Sequence, residues 1–295
     1  MTLMLSEAAR NEFYGEGPDV RVCSVASVDG TAARVAAGVR FSGTWAAASG
    51  CEDARWALLG IPLADAAGGA PAAATVLVPV EDLQVKDTWQ VAGLQGTGSQ
   101  SLVAHEVLVP DRRVITAAVA AAAGSGGGFP AALKVGSTLN LLAPVIGAAL
   151  GARDTVREAL ASGRPIMASV YRDTTDSPSA QMWLGEADRL LHRAVRHTLA
   201  VAEAADAALR GEPLALRERS GLRMDMVAAI EDARAAMSRL LDLHGTAGFS
   251  QSSPLQRFWR DMETGSRHVQ FSPFLTREDF GRLTAGVEST VSLLV

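Results

Sequence analysis

The stretch AAVAAAAGSGGGFP, Ala117–Pro130, is where the sequence changes character. Alanine and glycine dominate it, so it has nothing large to bury, and it reads as a linker covering about residues 117–135. Before it, from Val20 to Pro110, short β-rich runs alternate with turn residues: RVCSVAS, ARVAAGVRFSG, WALLG, TVLVPV, QVKDTWQV and LVAHEVLVP. That pattern predicts a compact all-β domain over residues 15–116. After it, the apolar period moves from two to about 3.6 residues. Leu142, Val145, Ile146 and Ala149 share one face. Ala187, Leu190, Leu191, Ala194, Val195 and Leu199 share a second, and Leu222, Met226, Ile230, Ala233, Met237, Leu240 and Leu241 a third. A fourth helix is expected after Pro254. TRED, Thr276–Asp279, resembles a capping box that opens a last helix carrying Phe280, Leu283, Val287, Val291 and Leu294. The fold class is therefore α+β, with a β-barrel or sandwich-like domain followed by an antiparallel four-helix bundle over residues 136–295.

The rest of the composition narrows the function classes. With 27 Lys and Arg against 32 Asp and Glu, the net charge is −5, which leaves no basic stripe for nucleic acid or an anionic membrane. Hydrophobic residues make up 48% of the 295, enough for a sizeable core. Cys23 and Cys51 alone make neither a disulfide framework nor a CxxC metal site, and they fit a reducing cytoplasm. The first residues, MTLMLSEAARNEF, carry a charge too early for a signal peptide. The apolar run VITAAVAAAA is short of a membrane span, so neither export nor insertion is expected.

Three segments are more specific: FSGTWAAASGCEDARWALLG (Phe41–Gly60), DTWQVAGLQGTGSQSLVAHEVLVP (Asp87–Pro110) and GTAGFSQSSPLQRFWRDMETGSRHVQFSP (Gly245–Pro273). In order and approximate spacing they resemble the acyl-CoA dehydrogenase superfamily, and more closely its flavin-dependent monooxygenase branch, the oxygenase components of two-component systems. The resemblance covers nearly the whole chain. Many dehydrogenases of the family carry a catalytic glutamate nine residues after the arginine of an Arg-Asp pair. Counted from Arg260 and Asp261, that place holds Val269, which accepts no proton, so the dehydrogenase reading is disfavoured. The residue before it, His268, stands where the monooxygenase branch uses a histidine near the flavin. A lone histidine is otherwise more often a satisfied structural residue.

The resemblance implies further site residues. Trp45 would line the isoalloxazine face, Ser49 would hydrogen-bond the ring, and Gly50 would leave it room. Taken alone, AAAS is equally a tightly packed strand in an alanine-rich protein. Thr97 and Ser99, in the loop GLQGTGS, would be polar contacts for the flavin and substrate region, although the loop alone is only a tight turn. Catalytic roles would fall to His268 and Ser49. No metal is expected, since His244 is too far upstream to share a site with His268 in one helix. The sequence departs from the family at Gln95, commonly arginine, at Ala47, often aromatic, and near Asp53, where a histidine often occurs.

What the resemblance implies overall is an oxygenase accepting reduced flavin, FMN in preference to FAD with FAD left open, from a separate reductase. It would hydroxylate an aromatic or nitrogen-containing small molecule as a homodimer or homotetramer in the cytoplasm. Relatives place a helical domain ahead of the β domain, of which residues 1–14 look like a remnant; a separately encoded subunit of that kind is one expected partner. The rival reading is a non-oxidative protein on the same scaffold, either a partner subunit of a heteromer or a binding or cyclising protein that uses no flavin.

Overall fold

The computed structural model describes residues 5–15, 17–64, 69–120, 131–287 and 290–292. They fall into two compact units, Met1–Val91 with Gln95–Pro130, and Ala92–Leu94 with Ala131–Val295.

The first unit contains two four-stranded sheets. One has the order β1 (Val22–Val28), β4 (Trp56–Leu63), β5 (Ala72–Pro79), β8 (Val114–Ile115); the other runs β2 (Thr31–Val35), β3 (Gly38–Trp45), β7 (Ser101–Val109), β6 (Gln84–Lys86). Only β1 and β4 pair in parallel; the other neighbours are antiparallel. The run ARVAAGVRFSG, expected as one segment, is split into the hairpin β2–β3. Gly38, at φ 139°, makes the turn where a Cβ would meet the Val109 carbonyl at 2.2 Å. Strand β4, WALLGIPL, is buried along nearly its whole length because both its faces are covered. Ala57, Leu59, Ile61 and Leu63 point into the core shared with Phe41, Trp45 and Leu102. On the other face, Trp56 and Leu58 pack with Leu5, Ala9 and Phe13 of helix α1 (Glu7–Phe13). Glu12 fastens that helix by ion pairs to Arg112 and Arg113.

Beyond β8 the chain forms a four-residue helix α2, Ala117–Ala120. Residues 121–130, most of the tract expected as a linker, lie outside the described residues. Helix α3 begins at Ala131 and runs to Ala161.

The second unit holds α3, α4 (Pro178–Leu209), α5 (Leu216–His244), α6 (Pro254–Gly265) and α7 (Pro273–Thr284). The first four form the bundle, with α7 packed on α5. Their termini follow from local chemistry. Ser177 and Ser253 cap α4 and α6 ahead of Pro178 and Pro254, and Gly245 at φ 76° ends α5. Two glycines allow α3 and α6 to approach closely. A Cβ at Gly151 would lie 2.7 Å from the Phe258 ring, and one at Gly265 would lie 2.8 Å from Val145.

Three expectations are corrected. Leu199 is not a core residue: it is exposed, because the α4 stripe drifts by that point to Val201 and Ala205. The last helix opens at Pro273, so Thr276 lies inside it. Asp279, expected within a capping box, is buried, and its carboxylate accepts the backbone N–H of Val291 (2.7 Å) and Ser292 (3.2 Å). Val287 and Val291 lie past its end, and Leu294 is outside the described residues. Finally, Lys134–Ala161 is long and apolar enough by composition to cross a membrane, which the early apolar runs did not suggest. Several of its apolar residues, among them Leu142, Ala149 and Val156, belong to the bundle core, while Leu141 is exposed.

Candidate active site

Strand β3 ends at Trp45, and the backbone then turns sharply. Ala47 adopts φ 57°, a left-handed conformation that alanine rarely takes, so AAAS is not strand but the start of a tight loop. That loop is knitted to the glycine-rich loop fifty residues later. Ala48 N–H donates to the Gln100 carbonyl (3.0 Å), and Gly50 N–H donates to that of Thr97 (2.8 Å). Gly98 suits the turn there, with φ 48°, a left-handed conformation that glycine takes without strain.

The two loops bring three hydroxyls into a chain. Ser99 Oγ, in a side chain only 3% exposed, lies 2.8 Å from Ser49 Oγ and 2.7 Å from Thr97 Oγ1. Ser99 can donate to only one of them and accept from the other. With Thr97 donating to Ser99 and Ser99 to Ser49, the Ser49 proton is left to point outward, strengthened by the hydroxyls behind it. With the polarity reversed, Ser49 presents an acceptor. Around it Ala46, Ala47 and Gly50 are exposed, and a Cβ at Gly50 would meet nothing within 4 Å. A planar, hydrogen-bonding ring such as a flavin fits this open, small-residue surface with a polar atom at its edge. Ser49, Gly50, Thr97 and Ser99 are thus gathered in one place.

Trp45 is not on that surface. Its side chain is fully buried, its indole N–H donates to the Gly60 carbonyl at 2.8 Å, and it packs edge-on against Phe41. The side chain expected to line a ring face instead holds the end of β3 in the sandwich. Cys51 and Cys23 are buried thiols, Cys23 pushed up to about 11 by desolvation, so neither is a nucleophile at neutral pH.

In the second unit, Arg260 and Asp261 hold the segment Ala92–Leu94. Arg260 Nη1 donates to the Ala92 carbonyl at 2.8 Å, and Leu94 N–H donates to Asp261 Oδ1 at 2.6 Å. Leu94 sits at φ 58°, and Gly93 is so close that a Cβ would lie 2.0 Å from the Arg260 carbonyl. The Arg-Asp pair is therefore a clamp on backbone. The sequence named the pair only as a counting origin; its signal as a clamp was the glycine at 93.

His268 follows α6, at the start of a short 3-10 turn, Val269–Phe271. Its Nδ1 accepts the Gln270 N–H at 3.3 Å, which fixes the neutral tautomer with the proton on Nε2. Partial desolvation of the ring pushes its ionisation below the ordinary 6.5, although the residue as a whole is exposed. A neutral imidazole with its N–H donor on Nε2 is what the corner offers. Val269, beside it, is 64% exposed and carries no acid–base group.

The family description "Acyl-CoA dehydrogenase, C-terminal domain" matches residues 139–273. The oxygenase subunit HsaA of Rhodococcus jostii (strain RHA1), a flavin-dependent monooxygenase, is 31% identical over 280 residues, covering 92% of this chain and 72% of that protein. The oxygenase component of an FADH(2)-dependent resorcinol hydroxylase from Rhizobium sp. (strain MTP-10005) is 31% identical over 303 residues, covering 97% and 73%. The solved structure of XiaF from Streptomyces sp., in complex with FADH2 and glycerol, superposes with a TM-score of 0.89 at 32% identity, covering 99% of this chain and 75% of that one.

Proposed function

The chain belongs to the acyl-CoA dehydrogenase superfamily, in its flavin-dependent monooxygenase branch, and from that premise we propose that it is an oxygenase component hydroxylating an aromatic small molecule with reduced flavin. The observation that carries this reading is the hydroxyl chain Thr97–Ser99–Ser49 beside an open surface of small residues. Reduced flavin, once bound, supplies the electrons that activate dioxygen, one atom going to product and the other to water. Ser49 binds the ring edge, and Ser99 and Thr97 set the direction of its proton. His268, neutral with its proton on Nε2, is the hydrogen-bond donor assigned to the reacting groups. The Arg260–Asp261 pair is a clamp on the backbone of Ala92–Leu94.

The sequence carries no dinucleotide fingerprint for a nicotinamide donor, which supports a separate reductase as the source of reduced flavin. Mononucleotide and dinucleotide flavins both fit the contacts above, and we favour FMN. Met182 and Trp183 on α4 are 66% and 42% exposed, which supports a homodimer or homotetramer. Buried free thiols at Cys23 and Cys51 suit a cytoplasmic setting.

Anaerobic titration with reduced FMN and reduced FAD, followed by air and a panel of phenols, tests the reading. Saturable binding and an oxygenated product are expected. Failure to bind either reduced flavin would overturn it.

A further inference from the structure

Arg223 on α5 is 5% exposed, and the carboxylate of Asp279 on α7 is fully buried beside it. A buried arginine facing a carboxylate ordinarily meets it through paired short hydrogen bonds, at about 2.7–2.9 Å. Here the nearest approach is 3.8 Å, from Arg223 Nη1 to Asp279 Oδ2, and that oxygen is buried without a hydrogen-bond partner. The acid therefore balances the charge without engaging the N–H groups of the guanidinium. Those turn elsewhere: Nη1 donates to Ser292 Oγ at 2.9 Å, and Nη2 donates to the Gln270 carbonyl at 3.3 Å.

Gln270 belongs to the 3-10 turn that follows His268. Two internal hydrogen bonds tie that turn to the histidine, from the Gln270 N–H to His268 Nδ1 (3.3 Å) and from the Phe271 N–H to the His268 carbonyl (2.8 Å). On its inner side Phe271 is buried in the bundle core, and on its outer side Val269 is exposed. Apolar burial is non-directional, so the Phe271 ring sets the depth of the turn but leaves its rotation open. A directed hydrogen bond to a backbone carbonyl fixes the rotation as well. Arg223 supplies that bond to the one residue whose N–H holds the imidazole.

We propose that Arg223 is a positioning residue for His268: it holds the Gln270 backbone so that the Gln270 N–H fixes the imidazole, while Asp279 keeps the buried guanidinium charged. This deepens the monooxygenase reading above and rests on it for what His268 does, whereas the relay itself is a property of the flavin-free chain. Its consequence for the reaction is geometric, since a donor displaced by about an ångström loses much of its effect.

NMR of the uniformly 15N-labelled full chain without flavin, at about pH 8 where the imidazole is neutral, reads the relay directly. The chain has 5 histidines, and the His268 signals are those missing from His268→Asn. In Arg223→Met the Nδ1 resonance should shift towards that of a nitrogen accepting no protein hydrogen bond. The Gln270 amide should exchange with deuterium up to about tenfold faster, the worth of one hydrogen bond. Arg223→Met leaves the Asp279 charge buried alone, so Arg223→Met combined with Asp279→Asn, which removes both charges, carries the test if the single variant does not fold. Ser292→Ala takes away the other contact of the guanidinium and should leave both signals as in the wild type. Unchanged signals in a folded Arg223 variant, or an equal change in Ser292→Ala, would overturn the proposal. With reduced flavin, dioxygen and a phenol, the Arg223 variant should lower the ratio of oxygenated product to peroxide several-fold, and lower it no further in a His268→Asn background. An additive loss there would mean a general structural defect and would also overturn it. If the signals move as expected while neither His268→Asn nor the Arg223 variant changes the ratio, the role given to His268 in the reaction falls and the relay stands.

Discussion

Ser49 Oγ and Ser99 Oγ lie 2.8 Å apart across fifty residues of sequence, and Ser99 is the buried member that also reaches Thr97. Removing the outer hydroxyl takes away one contact, and removing the inner one breaks two. Ser49→Ala should weaken reduced-flavin binding by about 0.5–1.5 kcal/mol, a several-fold rise in Kd. Ser99→Ala should cost at least as much and also lower the melting temperature. Anaerobic fluorescence titration reads the first, calorimetry the second. Equal flavin affinity in the wild type and both variants would reduce the hydroxyl chain to packing.

His268→Asn should keep the fold, because the amide oxygen can replace Nδ1 as acceptor for the Gln270 N–H, and should lower the ratio of oxygenated product to hydrogen peroxide. An unchanged ratio would remove His268 from the reaction.

Stability should fall as pH drops beneath about 6.5. Desolvation lowers the folded-state ionisation of His268 and of His244, the latter with help from Arg164. The unfolded chain therefore takes up protons near the ordinary value while the folded chain does not, and in that window unfolding is favoured by acid. Melting temperatures from pH 8 to 5 should slope less in His244→Asn than in the wild type; parallel curves would rule out its contribution.

Glu12 behaves in the opposite sense. Hydrogen bonds from Arg113 and Arg112 hold its carboxyl down to about 2, against an ordinary 4.5. Its stabilisation is present above about 4.5 and is lost as pH falls towards about 2. Glu12→Gln should lower stability at neutral pH and flatten the acid limb between those values. Acid titration by circular dichroism checks this, and an acid limb identical to that of the wild type would contradict it.

Gly93 and Gly96 make a matched pair. A Cβ at 93 would lie 2.0 Å from the Arg260 carbonyl, whereas one at 96 meets nothing within 4 Å. Gly93→Ala should destabilise by about 1–3 kcal/mol, the usual cost of forced overpacking, and Gly96→Ala should be near neutral. Urea unfolding of both variants gives the comparison, and equal effects would mean that the 92–94 clamp yields easily.

Much of this was legible in one dimension because periodicity is a local property. The shift from alternating to helical apolar spacing after Ala117 marked the change from sheets to bundle, and Pro254 marked the start of α6 at its own position. The three motifs carried the family, and with it the reduced-flavin chemistry. What sequence could not express was which atoms meet. Trp45 looked like a ring-facing aromatic, but an indole of that size at the end of β3 is worth more buried, with its N–H on Gly60. AAAS read as strand, and only the backbone turn at Ala47 makes it a loop. Asp279 looked like a cap residue, yet it accepts backbone donors twelve and thirteen residues ahead and balances Arg223 inside the protein. Nor does any spacing rule pair Ser49 with Ser99, or bring Arg223 to the Gln270 carbonyl. Hydrogen bonds and ion pairs depend on ångström distances between residues far apart in the chain, and those distances exist only once the chain has packed.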